Sequence, residues 1–497
     1  MKNFIFGGNM LNKRFCSIFL VCVLLAGVTS CGNPKEADET TSASSSDPDD
    51  ETTAELSDEL PETDLGGWEM RIISHHDSLS DESTIYASEI NGELINDLIY
   101  TRNSDLENRF NFKMTVVPGN DWADDYNKLK TSALAGSQDY DMSFMLPFAA
   151  NGNLVLDGCL HNMLDVPYLN FDKPWWHTNV NELFTYDGYL PFVSSDYLLS
   201  SYQYANILIF NKVIAGDYKL NNIYDIVREG KWTLDKFAEI AAAVSGDLNG
   251  NGKTDSEDRF GLATNFGYHA ITWGYAIGEI SVKLEQEKVM LGYKDERFYK
   301  LAEWLYDMFY NSNSVYEIGW DKECDIKWDE NRVFMRALWV NDLEEFRSYN
   351  SEYGVIPYPK YDEIQENYYT YVDARSGGCA IPIDASEETV EKVGLVLEAL
   401  SCASYNKLIP AYLESITGSK LTRDDDSIEM LDIISAGRRW DIGYTMAPQS
   451  SYTWALYTDL KSSGGQIASA LESKTPQTVE YYNKIIKAYK ELAQLSK

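Results

Sequence analysis

Residues 247–258 read DLNGNGKTDSED, and their spacing is that of a hard-cation loop. Oxygen-bearing side chains fall at loop positions 1, 3, 5, 9 and 12, as Asp247, Asn249, Asn251, Asp255 and Asp258. Gly252 stands at position 6, where the chain must turn sharply, and Lys253 at position 7 offers its backbone carbonyl. Calcium is held by oxygens in this order. Two departures weaken the site: positions 3 and 5 are neutral Asn, and position 12 is a short Asp rather than a bidentate Glu. Three carboxylates suit calcium-rich surroundings outside a cell better than cytosolic sensing. The plain alternative is an Asn/Gly/Asp-rich surface turn.

The elements on either side show how such a loop would be placed. Thr233 can cap a helix whose apolar face is Phe237, Ile240, Ala241 and Val244, running straight into the loop. The loop exits into Arg259–Ala263, which reads as a strand, whereas an EF-hand would continue with a second helix. No second copy is found, which argues against a calcium sensor. Calcium is therefore expected to be a structural brace.

The start of the chain suggests where the loop operates. Lys13 and Arg14 precede an apolar run from Ile18 to Val28, too short for a membrane span and laid out as a secretory signal. Cys31 behind small residues resembles a bacterial lipobox, in which that cysteine is lipidated; Met10 is an alternative start. Residues 1–30 are the expected lipoprotein signal peptide, and 31–67 the expected lipidated Cys31 with a disordered acidic Ser/Thr tether. From Gly32 to Gly67 there are twelve Asp/Glu, one Lys and no aromatic residue, too little apolar surface to fold. Trp68 opens the globular composition, and 68–497 is long enough for two domains.

Without residues 1–30 the chain carries 39 basic against 78 acidic side chains, a field unsuited to nucleic acid or anionic lipid. Besides Cys31, four cysteines remain (Cys159, Cys324, Cys379, Cys402) with no CxxC, so spacing assigns no disulfides. Further on, Trp68–Ser74, Phe112–Val117 and Tyr140–Met145 read as strands. The intervening helical periodicity runs through Ile90, Leu94, Leu98 and Leu106, then through 124–135. Repeated β-α-β units point to an α/β domain with a mainly parallel sheet.

Several segments then resemble, in order, the extracellular solute-binding proteins of ABC importers, family 1, the branch that mostly takes up sugars. They are Tyr140-Asp-Met-Ser-Phe, Leu169-Asn-Phe-Asp-Lys-Pro-Trp-Trp, Ile209-Phe-Asn-Lys, Gly230-Lys-Trp-Thr-Leu-Asp, Asp258-Arg-Phe-Gly-Leu and Tyr353-Gly-Val-Ile-Pro-Tyr-Pro-Lys. The lipobox and acidic tether resemble those of Gram-positive members. The resemblance implies a two-lobed periplasmic-binding-protein-like fold (type II), each lobe a mainly parallel sheet flanked by helices, with the ligand in the cleft between. It implies crossovers near Leu190–Gln203 and Tyr368–Ile383. Lobe one is then expected over 68–197 and 373–440, lobe two over 198–372 and 441–497.

It also implies a lipid-anchored receptor on the outer face of the cell membrane, touching the membrane only through its anchor. This receptor would be a monomer that captures a carbohydrate, an oligosaccharide by preference, by hinge closure and hands it to ABC permease subunits. A pyranose needs flat aromatic surfaces with polar groups around its rim, and the chain has 12 Trp and 34 Tyr. Position beyond strand ends or at crossovers selects His76, Asp77, Asp121, Trp122, Asp196, Tyr197, Trp273, Tyr275, Trp339, Asn341, Asp373 and Arg375. Core packing for Trp273 and Trp339, an ion pair for Asp373 with Arg375, and a helix entry for His76 and Asp77 are the competing roles. Ser376-Gly-Gly378 could admit a ligand close to backbone. Trp175 and Trp176 are expected to pin a long loop to lobe one.

No catalytic residues are expected. A secreted glycoside hydrolase using two carboxylates remains the alternative, as does a surface sensor or adhesin on the same fold. No HExxH, G-x-S-x-G or phosphate loop occurs, and the five histidines make no ligand-spaced cluster.

Overall fold

The computed structural model describes residues 55–75, 85–145, 147–285, 288–318, 327–346, 349, 351–373, 376–417, 425–446 and 453–495. The expected signal peptide, Cys31, His76, Asp77, Cys324 and Arg375 lie outside these residues, as does the side chain of Trp122. No helix among the described residues is long and apolar enough to cross a membrane.

Two sheets organise two α/β lobes. In the first, β1 (Trp68–His75) pairs in parallel with β2 (Phe112–Gly119) and β3 (Met142–Met145), and β12 (Gly378–Ala380) adds an antiparallel edge on β3. The β-α-β pattern produces this arrangement: helix Leu94–Phe110 joins β1 to β2 and Trp122–Ala135 joins β2 to β3. Ile90 precedes the first of these helices and is exposed.

The second sheet runs β10 (Tyr353–Ile356), β4 (Asn206–Asn211), β9 (Val333–Trp339), β5 (Phe260–Thr264) and β8 (Val315–Glu317). It is mixed rather than mainly parallel. Strand β4 is antiparallel to both β10 and β9, while β5 is parallel to β9 and β8. Strands β4, β5 and β10 are buried on both faces, as their continuous apolar runs require. Helix Leu234–Val244 lies on this sheet with Phe237, Ile240, Ala241 and Val244 inward, and Thr233 Oγ accepts from Lys236 N. Gly261 lets the helix approach, since a Cβ there would sit 2.5 Å from Ala241 Cα.

Four features differ from the expected boundaries. Residues 55–67 belong to the folded body: Leu65 is buried, Leu65 N donates to Phe110 O, and Asp58 pairs with Arg109 at 2.5 Å. Leu60 and Leu65 within the acidic run supply the apolar contacts that composition averaged away. Helices Ile409–Thr417 and Asp425–Ala436 pack on the second sheet, with Tyr412, Ile416 and Ile434 sharing a core with Ile207, Ile209 and Val355. Helix Ala468–Leu495 begins against lobe two through Leu471 and ends inside lobe one, where Tyr482, Ile485 and Tyr489 are buried. Hairpin β6 (Val282–Glu285) and β7 (Lys288–Leu291) also packs on the lobe-one core, through Val282.

The crossovers lie side by side. Val193 bridges Cys379 and Ala205 bridges Val372, both antiparallel, close to where the sequence placed the two passages. A third joins them: β11 (Thr370–Tyr371) pairs in parallel with β13 (Arg438–Arg439). Trp175 and Trp176 are buried, and both indole N–H groups donate to the Glu398 carboxylate, at 3.1 and 3.0 Å. They pin their loop to lobe one, as expected.

Candidate functional site

Where β9 ends, the crossover residues and helix Phe266–Ala276 converge. Asn206, paired with Trp339 across β4 and β9, donates to the Tyr371 carbonyl and accepts from the Thr272 hydroxyl. Tyr275 stacks on Tyr371 at 4.4 Å, Tyr444 meets Tyr371 edge-on at 5.8 Å, and Trp454 follows at 6.1 Å. Trp339 is half-buried, 5.8 Å from His269. Asp373 is buried beside them, its N–H bonded to Tyr204 O.

Buried polar atoms without a hydrogen-bond partner gather at this edge: Thr264 Oγ at the end of β5, Asn341 Oδ1 just past β9, and Thr370 Oγ with Tyr371 OH at the crossover. Burial and neighbouring carboxylates push the Tyr371 hydroxyl well above its ordinary range. Beyond the carboxyl end of β2, in lobe one, the Asp125 carboxylate is buried against the Gly119 backbone. Burial raises the Asp125 carboxyl to about 7. Its carboxylate lies over Gly119, where a Cβ would stand 1.7 Å from Oδ1, so only glycine fits. Orphaned buried groups cost free energy and are rare in native proteins. Here four of them stand at lobe-two strand ends and the crossover, and an open α/β sheet takes its ligand beyond its strand ends.

The residues selected from sequence divide accordingly. Trp339, Asn341, Tyr275 and Asp373 are brought together. Trp273 is not exposed to a cleft: it is fully buried among Phe237, Trp304 and Tyr358, at 4.9, 5.3 and 5.1 Å. Helix Phe266–Ala276 explains the difference. Its Ala270, Trp273, Ala276 and Ile277 side faces the sheet core, while Ile271 and Tyr275 face the crossover cluster. Asp121 caps helix Trp122–Ala135, accepting from Ala123 N and Asp124 N.

Asp196 and Tyr197 are interior rather than cleft-facing. Tyr197 packs edge-on against Phe144 and beneath the Arg102 guanidinium. Asp196 accepts from Tyr202 OH and bonds His177 Nε2 at 2.9 Å, while His177 Nδ1 lies 2.8 Å from Ser194 Oγ. These three residues have nucleophile, base and acid types, but each is buried at the hinge and burial lowers the imidazole's basicity. They tie the crossover together: His177 stacks on Trp440, whose indole donates to Ser376 Oγ. Gly378 serves packing, since a Cβ there would meet the Phe192 ring at 2.7 Å. Sequence reasoning missed Tyr371 and Tyr444; Tyr371 stood within the expected return crossover, whereas nothing local marked Tyr444.

The 247–258 loop joins its helix to β5 as expected. Asp247 accepts from Gly250 N and Gly252 N, Asp258 from Leu248 N and Asp255 N, and Asp255 from the Asn249 and Asn251 amides. Among the described residues no three His, Cys, Asp or Glu side chains are gathered as a metal-holding set. Cys159, Cys379 and Cys402 are buried free thiols.

No protein-family model and no curated protein matches the sequence. The fold, however, is that of the solute-binding proteins. A cyclo/maltodextrin-binding protein complexed with maltotetraose is 14% identical, with 85% of this chain and 96% of that one covered at a TM-score of 0.51. The cyclic alpha-maltosyl-1,6-maltose binding protein from Arthrobacter globiformis is 12% identical, covering 85% and 100% at 0.53. An ABC substrate-binding protein from Listeria monocytogenes, in complex with cycloalternan, is 12% identical, covering 84% and 98% at 0.52.

Proposed function

We propose that this chain is a lipid-anchored extracellular receptor that captures a carbohydrate between its lobes and delivers it to an ABC permease. The carrying observation is the set of unpartnered buried polar atoms at the lobe-two strand ends and the crossover, Thr264 Oγ, Asn341 Oδ1 and Tyr371 OH. They adjoin the Trp339–Tyr371–Trp454 aromatic surfaces. A pyranose offers hydroxyls for the first and C–H faces for the second. Closure around it would be a hinge motion at the three crossovers, biased by contacts to both lobes. The sugars named for the three solved structures support an oligosaccharide.

The test is a thermal-shift screen of the full chain against mono- and oligosaccharides, maltotetraose included, with each well assayed for sugar breakdown. A saturable rise in melting temperature with intact sugar is expected. Breakdown would instead make it a hydrolase, and a panel without response would refute sugar capture.

Calcium belongs to the same reading as a brace for lobe two. The residues that would hold it are the carboxylates of Asp247, Asp255 and Asp258, the amide oxygens of Asn249 and Asn251 and the Lys253 carbonyl, oxygen donors of the kind a hard cation takes. A bound calcium would compete with the Asn249 and Asn251 amide N–H groups, which now donate to Asp255.

A further inference from the structure

A cavity of about 730 Å³ lies at the third crossover, in the size range of small-molecule sites, and none of the crossover cluster residues lines it. Lobe one contributes Asn179 and Trp440 to its wall, and the lobe-two side contributes Asn367 and Tyr369. Arg228 and the exposed carboxylate of Glu366 line it as well, as do Arg438 and Arg439 of β13.

The two arginines stand in different circumstances. Arg438 is spent on structure, donating to Ser435 O and Ser201 Oγ while its guanidinium covers the Tyr202 ring at 3.7 Å. The Arg439 guanidinium lies over Tyr369, 3.2 Å from the ring centre, with a side-chain hydrogen bond to the same tyrosine, and no ion pair to it is found among the described residues. That is unusual in a chain with 78 acidic and 42 basic side chains. Arg228, on the same cavity, instead binds Asp225, Asp426 and Glu429. A guanidinium stacked on an aromatic face keeps its in-plane N–H edge for a planar oxyanion, which it grips with two parallel hydrogen bonds. Tyr369 fixes that orientation, so little side-chain freedom is lost on binding. The exposed Asn367 amide adds a polar group that a sugar hydroxyl would use, while the Asn179 amide donates to Arg438 O.

We propose that this cavity is a second ligand site, for a small carboxylate-bearing molecule of the acid-sugar class, with Arg439 as its anion-binding group. Because the walls come from both lobes, such a ligand would also bias hinge closure.

The test compares sodium D-glucuronate, D-glucose and sodium acetate in thermal-shift titrations of the full chain, at constant total ionic strength. Glucuronate is expected to raise the melting temperature saturably and the other two are not. In Arg439→Gln the glucuronate midpoint is expected to rise at least roughly 30-fold. Arg439→Lys keeps the charge but loses the planar fork, so weakened binding there separates recognition from folding. Maltotetraose, run alongside, reports on the crossover cluster and is expected to respond equally in all three proteins. An absent glucuronate response, or one unchanged in both variants, overturns the site. An equal acetate response overturns its assignment to a sugar.

Discussion

Tyr371→Phe separates the needs of folding from those of binding. The Tyr371 hydroxyl is buried without a hydrogen-bond partner, while its ring is held between Tyr275 and Tyr444. Phenylalanine keeps the ring contacts and removes only the oxygen. Leaving a buried polar group unsatisfied costs about 1–3 kcal/mol, so the ligand-free variant is expected to gain about 1 kcal/mol. In a domain of this size that is about 2 °C in melting temperature. If the hydroxyl is held in reserve for a sugar, the same substitution removes one neutral hydrogen bond from the complex. That is worth about 1 kcal/mol, or roughly fivefold in affinity. The two effects have opposite signs. Thermal melts without sugar and titrations with the sugar identified by the screen measure them separately. A lower melting temperature without sugar would show that the hydroxyl has a partner in the folded chain. Unchanged affinity in a stabilised variant would remove Tyr371 from the site.

Other perturbations probe the remaining elements. Asp247→Ala is expected to abolish the calcium-dependent rise in melting temperature while leaving sugar specificity unchanged; loss of sugar binding with the fold intact would refute the bracing role. Trp273→Ala empties a fully buried position in lobe two and is expected to cost about 3–5 kcal/mol by denaturant melts. A loss below about 1 kcal/mol would contradict its place in the core. For Asp125, desolvation raises the folded carboxyl to about 7 from an unfolded value near 3.8, opposed by Lys128 and assisted by Asp124 and Asp121. The folded chain therefore holds an extra proton between those values, and the associated stability is present below about 4 and lost as pH rises to about 7. Asp125→Asn is expected to flatten that part of the stability–pH curve and to be the more stable protein at pH 8; an unaltered slope would refute it.

Periodicity and order of segments made much of the architecture legible. Strands β1, β2 and β3 and the capped helix Leu234–Val244 fall where alternation and the 3.6-residue repeat put them. The crossovers were placed closely because both neighbour strands with clear apolar signatures. The return of the chain after residue 403 was not legible. Helices Ile409–Thr417, Asp425–Ala436 and Ala468–Leu495 are all amphipathic, and nothing in such a pattern says which sheet an apolar stripe will cover. The site shows the same division. Position after a strand led to Trp339 and Asn341, whose backbone is fixed by β9. It failed for Trp273, because a residue on a helix after a strand can face either way, and a few residues along the helix Tyr275 faces the other side. For Asp196 the crossover was located correctly, but its partners His177 and Tyr202 come from other turns of the chain.

The C-terminal helix bears on the order in which the protein assembles. Tyr489 donates to the carbonyl of Phe184 and packs against Tyr189, so part of the lobe-one core waits for a segment 305 residues downstream. The five strands of the second sheet, by contrast, all lie between Asn206 and Ile356. During synthesis lobe two can complete its sheet while lobe one still exposes the apolar bed on which residues 482–493 will lie. Contacts this distant in sequence form slowly, and unfilled apolar surface is open to wrong partners until they do. The interval between those two events is when a chaperone has most to protect.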